Sequence, residues 1–245
     1  MTTEQVPQKK QNASARKYSP MQVVVYHLTG IFLKIFFRVY GTVQIEGLRE
    51  SVPAEGPVVL CANHASNLDP PLAWAAFYGF RRIRGVAKME LWSTKFSSYV
   101  MNAHGAISVN RGTADRSMFR NVLDGLANGD AIGIFPEGTR TIDGKLNPGQ
   151  PGVGLLVQKS GAPVVPVAFI GTFEMLPKGS RKLKRCRIRL IAGKPLYFTR
   201  ADSKEAIVDR IMTEIAALLT ANGVPTEAPG AERAALLAQS ANSDD

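Results

Sequence analysis

The hydrophobic positions of this chain fall into short apolar runs separated by longer stretches of helical period. After an alternating segment at 42–47, continuous apolar runs recur at Val58–Cys61, Ile83–Ala87, Ala106–Val109, Ala131–Phe135, Val164–Phe169 and Ile188–Ala192. Stretches with apolar residues three or four positions apart lie at Pro71–Phe80, Glu90–His104, Asp115–Asn128, Val153–Lys159 and Ser203–Ala221. Strands that alternate with helices predict an α/β fold, with a mostly parallel sheet flanked by helices.

The most apolar stretch, residues 21–40, stands outside this alternation. Lys34 and Arg38 interrupt it, so no uncharged run reaches the roughly 18–20 residues of a transmembrane helix. On a helix these cations share one face, while another face is apolar: Val24, Leu28, Ile31, Ile35 and Val39, flanked by Phe32, Phe36 and Phe37. We interpret the stretch as an amphipathic membrane-associating helix; a core helix at the edge of the domain is the alternative.

The two ends of the chain differ in composition from its middle. Residues 1–20 are polar and basic and contain no apolar segment of the signal-peptide kind. Residues 223–245 are rich in alanine, proline, serine and acids. We therefore expect a polar basic arm (1–20), the membrane-interface helix (21–40), one α/β domain (41–222) and a flexible tail (223–245).

The charge balance favours anionic partners. Thirty Lys and Arg against twenty Asp and Glu give a net charge of +10, which attracts nucleic acid, an acidic membrane leaflet or phosphate-bearing substrates. The run 178–189 holds seven cations and no acid. It fits an anionic leaflet, nucleic acid or a solvated hairpin. The two cysteines and three histidines share no metal-ligand spacing, so neither a disulfide framework nor a structural zinc site is expected.

The first candidate site is the segment 63–70, NHASNLDP, which directly follows the apolar run at 58–61. Loops at strand ends are where α/β sheets bind ligands. The pKa of a histidine lies near working pH, so His64 suits the role of general base. Asp69 lies five residues on, in a turn, and can return to the His64 ring to fix its tautomer. Alternatively, Asp69 caps the helix that begins at Pro70 or Pro71.

Two further strands run into charged loops, at 105–112 (GAISVNRG) and 134–140 (IFPEGTR). Arg111 and Arg140 have planar guanidinium groups suited to a phosphate, although each taken singly is also an ordinary loop charge. Gly138 permits a positive φ or close approach of a ligand. Glu137 either orients Arg140 or accepts a hydrogen bond from a substrate hydroxyl. The strand 164–167, with its in-line proline, fits simple packing equally well.

Taken in order, the NHxSxxDP, GxxxxxR, FPEGTR and VxPV segments resemble the glycerolipid acyltransferase family, and most closely its lysophosphatidate acyltransferase branch. The resemblance covers about 57–167. It implies that His64 is the catalytic base, that Asp69 is its partner and that Pro166 shapes the pocket. It assigns the acceptor's glycerol phosphate to Arg111, Glu137, Gly138 and Arg140, with Lys88 of the AKMEL segment adding positive charge nearby.

The implied reaction moves a fatty acyl group from acyl-CoA or acyl carrier protein to the free hydroxyl of 1-acylglycerol-3-phosphate, giving phosphatidic acid. Glycerol-3-phosphate or another lysophospholipid or glycolipid is the alternative acceptor, and a non-catalytic membrane lipid-binding protein is the alternative class. The sequence contains no GxSxG motif, which argues against a hydrolase that forms a serine acyl-enzyme. We expect no metal, no cofactor beyond the acyl donor and no nucleic-acid partner. The expected location is peripheral or monotopic on the cytoplasmic face of the cell membrane, against an anionic surface.

His104 departs from the resemblance, because relatives more often carry a small or apolar residue just before the strand at 105–109. A second histidine near Arg111 would tune the choice of acceptor. A structural role at a helix C-terminus is the alternative.

Overall fold

The computed structural model describes residues 17–110, 115–224 and 226. The strands of these residues are β1 (Gly41–Glu46), β2 (Val58–Ala62), β3 (Ile83–Lys88), β4 (Ile107–Val109), β5 (Ala131–Ile134), β6 (Val164–Ile170) and β7 (Cys186–Ala192). The helices are α1 (Pro20–Tyr40), α2 (Leu48–Ser51), α3 (Asp69–Phe77), α4 (Lys95–Ala103), α5 (Arg116–Ala127), α6 (Pro151–Ser160), α7 (Thr172–Met175) and α8 (Lys204–Ala221). A 3₁₀ helix, Met89–Trp92, joins β3 to α4.

The strands form one sheet in the order β1-β7-β6-β2-β5-β3-β4. Five neighbouring strands, from β6 to β4, run parallel, whereas β7 is antiparallel to β6 and parallel to β1. One apolar core lies between the sheet and α5, α6 and α8, and a second lies between the opposite face and α1 and α3. The predicted α/β fold with a mostly parallel sheet is therefore confirmed.

The local sequence accounts for most element bounds. The side chain of Ser203 accepts a hydrogen bond from Ala206 N, so it caps α8 as its position predicts. The single helix expected over Glu90–His104 is wrong, because it is divided into the 3₁₀ helix and α4. The division falls at Thr94, whose hydroxyl accepts from Ser97 N at 3.2 Å and starts a new helix.

Helix α1 presents an apolar surface outward. Ser19 and Gln22 form a capping box at its start, and Gly30 and Phe37 are its buried residues. Leu28 is 63% exposed and Phe32 is 64% exposed. The core-helix alternative is therefore wrong, because a core helix would bury these side chains. Among the described residues, α1 is the one helix long and apolar enough to cross a membrane, by length and composition alone.

Three of the sequence predictions lie wholly or partly outside the described residues. Of the basic arm, residues 17–19 and the first residue of α1 are described. Of the tail, only residues 223, 224 and 226 are described. Arg111 belongs to 111–114, which is not described, so its assignment to a phosphate stays a prediction.

Candidate active site

The described candidate residues lie at one edge of the sheet because three parallel strands, β2, β5 and β3, end there. The loop that carries His64 follows β2, and the loop with Glu137, Gly138 and Arg140 follows β5. Lys88 is the last residue of β3 and is exposed at this edge. Parallel strands place their carboxyl ends side by side, so residues far apart in sequence share one site.

His64 and Asp69 are in direct contact, as the spacing predicts. His64 Nδ1 lies 2.9 Å from Asp69 Oδ2, and the two residues are 7% and 0% exposed. The same oxygen accepts from Ala65 N at 2.8 Å and from Ser66 N at 2.7 Å. Three donors that converge on one oxygen fix the carboxyl group. Because Nδ1 then carries the proton, Nε2 holds the free lone pair that a general base needs.

Asp69 does not cap α3, contrary to the alternative expectation. It is the first residue of the helix, and Leu68 occupies the N-cap position without a side-chain hydrogen bond. Asp69 Oδ1 is buried and has no hydrogen-bond partner among the described residues. The carboxyl group instead closes the 64–69 loop on itself through Oδ2. Its local role is therefore to hold the loop and the His64 ring together.

Three further residues fix the His64 loop, and sequence reasoning gave none of them a role. Asn63 pairs with the backbone of Phe169 through two hydrogen bonds, of 2.9 Å and 2.7 Å. Ser66 Oγ donates to Leu176 O at 2.7 Å. The Phe135 ring stacks on the His64 ring at 3.9 Å between centroids. All three lie inside the motifs that carry the family resemblance, but the sequence of a motif does not reveal its hydrogen-bond and stacking partners.

Glu137 forms hydrogen bonds to the backbone of two segments of the site that are distant in sequence. Its Oε1 accepts from His64 N at 2.6 Å, and its Oε2 accepts from Asn147 N at 2.9 Å. The side chain is 3% exposed, and each oxygen accepts one backbone hydrogen bond, so a contribution of Glu137 to acceptor binding stays a prediction. Burial raises the pKa of Glu137 to about 7, while the two backbone donors act in the opposite direction. Glu137 therefore positions the backbone of His64.

Of the remaining predicted residues, Gly138 and Arg140 lie in the loop after β5, whereas Pro166 lies within β6. Gly138 has the positive φ expected of it, +69°. Arg140 is half-buried, and its carbonyl lies 3.5 Å from Lys178 Nζ, which brings the basic run 178–189 to the site edge. Pro166 is buried in β6, with its ring Cγ 3.0 Å from where a Cβ on Gly193 would stand. The side chain of Pro166 therefore packs on the α8 side of the sheet, away from the His64 stack.

A narrow apolar cavity lies next to the histidine. Its walls come from the sheet and from α3, and they include Phe135, which stacks on His64, and Trp74 of α3. Gly85 and Gly133 are register partners on β3 and β5 and also line it. Two neighbouring glycines leave the sheet without side chains at this point, which makes room for a ligand. The all-apolar lining suits a hydrocarbon chain.

A second and wider cleft opens on the other face of the sheet. Its lining combines apolar side chains with Asn110, Glu137, Gly138 and Gln150. Ile134 and Phe135 line both spaces, so the end of β5 separates them. Within the described residues, no three His, Cys, Asp or Glu side chains cluster as a metal ion would require. The chemistry of the site therefore centres on His64, between an apolar and a mixed surface.

The fold and the site define an α/β protein with a histidine–aspartate pair beside an apolar cavity. The chain belongs to the Acyltransferase family, whose model matches residues 42–170, more than half of the chain.

Among its relatives is the 1-acyl-sn-glycerol-3-phosphate acyltransferase of Bacillus subtilis, which is 28% identical over 193 residues that cover 78% of this chain and 92% of the relative. A chloroplastic 1-acyl-sn-glycerol-3-phosphate acyltransferase of Brassica napus is 29% identical over 164 residues, covering 65% of this chain and 46% of the relative. The chain thus spans about half the length of the plant relatives it matches.

A solved structure has the same fold. The crystal structure of the 1-acyl-sn-glycerophosphate (LPA) acyltransferase from Thermotoga maritima aligns with a TM-score of 0.67 at 24% identity, covering 80% of each chain. The sheet and helices described above are therefore those of this fold.

Proposed function

We propose that this protein transfers a fatty acyl group from an acyl thioester to the free hydroxyl of 1-acylglycerol-3-phosphate, which produces phosphatidic acid. The observation that carries the proposal is the His64–Asp69 contact of 2.9 Å at the sheet edge, next to the apolar cavity. The names of the relatives support the choice of acceptor and reaction.

The proposed reaction is a direct attack without an acyl-enzyme. His64 Nε2 takes the proton of the acceptor hydroxyl while the hydroxyl oxygen forms a bond to the carbonyl carbon of the thioester. The tetrahedral intermediate then collapses, the C–S bond breaks, and the leaving thiolate recovers the proton from the imidazolium. Asp69 holds the ring through Nδ1 and stabilises the imidazolium in between. The scheme needs no cofactor besides the acyl donor.

The apolar cavity is the proposed site for the hydrocarbon chain of the donor. It lies against Phe135, the ring on which His64 stacks, so a chain lodged there brings its carbonyl to the histidine. Its purely apolar lining offers no group that a phosphate or a sugar would require. Positioning of the two reactants contributes to rate in addition to proton transfer.

The acceptor phosphate is proposed to bind at the edge that carries Arg140 and Lys88, with Arg111 as a further expected cation. Lys88 ends β3 and Arg140 lies in the loop after β5, and their near neighbours in sequence, Val86 and Thr139, line the second cleft. A guanidinium pairs well with a phosphate because its planar fork makes two parallel hydrogen bonds. The positive φ of Gly138 turns this loop within the cleft lining.

We place the protein at the cytoplasmic face of a membrane. The exposed apolar side chains of α1 suit the acyl boundary of a bilayer. The basic run 178–189 reaches the site edge through Lys178 and adds attraction to anionic lipid, on the order of 1 kcal/mol per cation near the surface. Both acceptor and product are lipids, so such a location brings them directly to the site.

The test is acyl transfer by the purified protein from oleoyl-CoA and from oleoyl-acyl carrier protein. Lysophosphatidate, glycerol-3-phosphate and lysophosphatidylcholine are offered as separate acceptors in mixed micelles. The expected result is phosphatidic acid from lysophosphatidate, reduced about 10²–10⁴-fold in His64→Ala. His27→Ala, which replaces an exposed histidine of α1, serves as the matched control and keeps its activity.

Product from another acceptor alone would move the proposal to that substrate. No product from any combination, or an undiminished rate in His64→Ala, would refute the proposed chemistry and favour a lipid-binding protein.

A further inference from the structure

His104 ends α4 in a buried aromatic cluster that the reaction scheme does not use. It is 1% exposed, and its ring stacks on Trp74 at 3.9 Å between centroids with an interplanar angle of 16°. On the other side its Nε2 lies 2.8 Å from Thr29 Oγ1 of α1. His104 therefore connects the exposed apolar helix to α3.

Hydrogen-bond accounting assigns the tautomer of His104. The single hydroxyl proton of Thr29 is donated to Val25 O at 2.8 Å, with Tyr26 O also within reach at 3.2 Å. His104 Nε2 must then be the donor to Thr29 Oγ1, which leaves Nδ1 without a proton. Nδ1 has no partner among the described residues. Burial, with a further contribution from the Arg82 cation, lowers the pKa of His104 to about 3, so the ring is neutral near neutral pH.

Trp74 links this cluster to the apolar cavity. Pro70, Ala73, Trp74 and Phe77 follow each other at helical spacing on α3, and all four line the cavity. Trp74 therefore contacts the cavity while one of its faces lies on the His104 ring. Because a close-packed wall keeps its shape only while its support stays in place, the position of Trp74 depends on His104.

We infer that the Thr29–His104–Trp74 contacts determine which acyl-chain length the protein accepts, by holding Trp74 in place as a wall of the cavity. The inference rests on the proposed function, because it takes the donor's hydrocarbon chain as the occupant. His104 is then a positioning residue, and α1 contributes to substrate selection through Thr29. Removal of the imidazole leaves space behind the indole, so Trp74 can retreat and longer chains fit.

The test compares kcat/KM for myristoyl-, palmitoyl- and oleoyl-CoA in four proteins. In His104→Ala we expect the ratio of oleoyl to myristoyl transfer to rise about tenfold. Thr29→Val keeps the shape but removes the hydrogen bond, and we expect a rise of about threefold in the same direction. His27→Phe is the matched control, because His27 Nδ1 bonds to Tyr78 Oη at 3.1 Å, also joining α1 to α3, without touching the cavity. Its ratio should stay that of the wild type.

A second readout does not depend on turnover. The chain has two tryptophans, so Trp92→Phe leaves Trp74 as the single indole fluorophore. Titration of that protein with alkyl-CoA thioethers of 14 to 18 carbons should change the Trp74 emission in a chain-length-dependent way, and His104→Ala should alter this dependence.

An unchanged length ratio in His104→Ala, or an equal change in His27→Phe, would overturn the inference while leaving acyl transfer intact. If the wild type transfers no acyl group but the fluorescence titration behaves as expected, the proposed function fails and the role of His104 in shaping the cavity stands.

Discussion

The two buried histidines of this protein have nearly the same surroundings but opposite functions in our account. His64 stacks on Phe135 and His104 stacks on Trp74, each with a centroid distance of 3.9 Å. Each has one ring nitrogen in a hydrogen bond to another side chain. Both stacking partners line the same apolar cavity.

The difference lies in the partner. His64 Nδ1 contacts the Asp69 carboxyl group, which leaves Nε2 with a lone pair and supports a positive ring. His104 Nε2 contacts the Thr29 hydroxyl, whose own proton is donated to Val25 O, and both burial and the Arg82 cation lower the pKa of His104. In this protein the carboxyl partner suits His64 to the role of base, whereas His104 has no such partner among the described residues.

The largest expected effect comes from changing that partner. In Asp69→Asn, the amide oxygen can replace Oδ2 and keep its three donors, while the amide nitrogen occupies the position of the unpaired Oδ1. The fold should persist, but the imidazolium loses its countercharge, so kcat should fall about 10²–10⁴-fold. Thr29→Val is the corresponding change at His104 and should leave kcat for palmitoyl-CoA within about threefold. Comparable losses in both variants would erase the distinction between the histidines.

A smaller effect is expected from filling the cavity that the two aromatic rings share. A Cβ added at Gly85 meets no atom within 4 Å, so Gly85→Leu fits the sheet and occupies cavity space. We expect kcat/KM for oleoyl-CoA to fall about tenfold, with short-chain donors affected less. Gly152→Leu is the control, because that site is equally open but lines the cleft on the opposite face. The same length profile in both leucine variants would place the acyl chain elsewhere.

The smallest effect concerns the support of His64 by Glu137. The raised pKa of Glu137, about 7 against an ordinary 4.5, means that the folded protein holds this proton more tightly than the unfolded chain. Its contribution to stability is therefore fully present below pH 4.5 and is lost as the pH rises through about 7. Glu137→Gln does not titrate, and it also turns an amide N–H₂ toward the Asn147 N–H donor, at a cost of about 1–3 kcal/mol.

Urea unfolding at pH 5 and pH 7.5 measures this effect. The wild type should lose more stability than Glu137→Gln between the two pH values. An identical pH dependence in both proteins would show that Glu137 does not titrate in this range.

Much of the fold could be predicted from the sequence because its information is local. Each strand of the described residues lies where a short apolar or alternating run predicts it, and Ser203 caps α8 as expected. The bounds of α4 were harder to predict, because a helical period runs through Glu90–His104 and only the hydroxyl of Thr94 separates the two helices. Hydrophobic periodicity alone does not reveal that a cap within the stretch ends one helix and starts another.

The site could be predicted only in part, for a geometric reason. The His64–Asp69 contact spans five residues and follows from a turn. The Glu137–His64 bond spans 73 residues and the Asn63–Phe169 pair spans 106, so both depend on strand order. His104 could not be assigned for the same reason, because Thr29 reaches it across 75 residues. Sequence reasoning recognised the motifs that contain Glu137 and Asn63, but it did not reveal hydrogen-bond partners that are distant in sequence.

The most direct test of the account is the tautomer of each histidine, measured by long-range ¹H–¹⁵N correlation on protein labelled with ¹⁵N-histidine. His27→Phe and His104→Ala variants assign the three ring systems. We predict that, at slightly alkaline pH, neutral His64 carries its proton on Nδ1 and neutral His104 carries it on Nε2. A proton on Nε2 of neutral His64 would contradict the account, because the lone pair would then face Asp69 and none would remain for the acceptor hydroxyl.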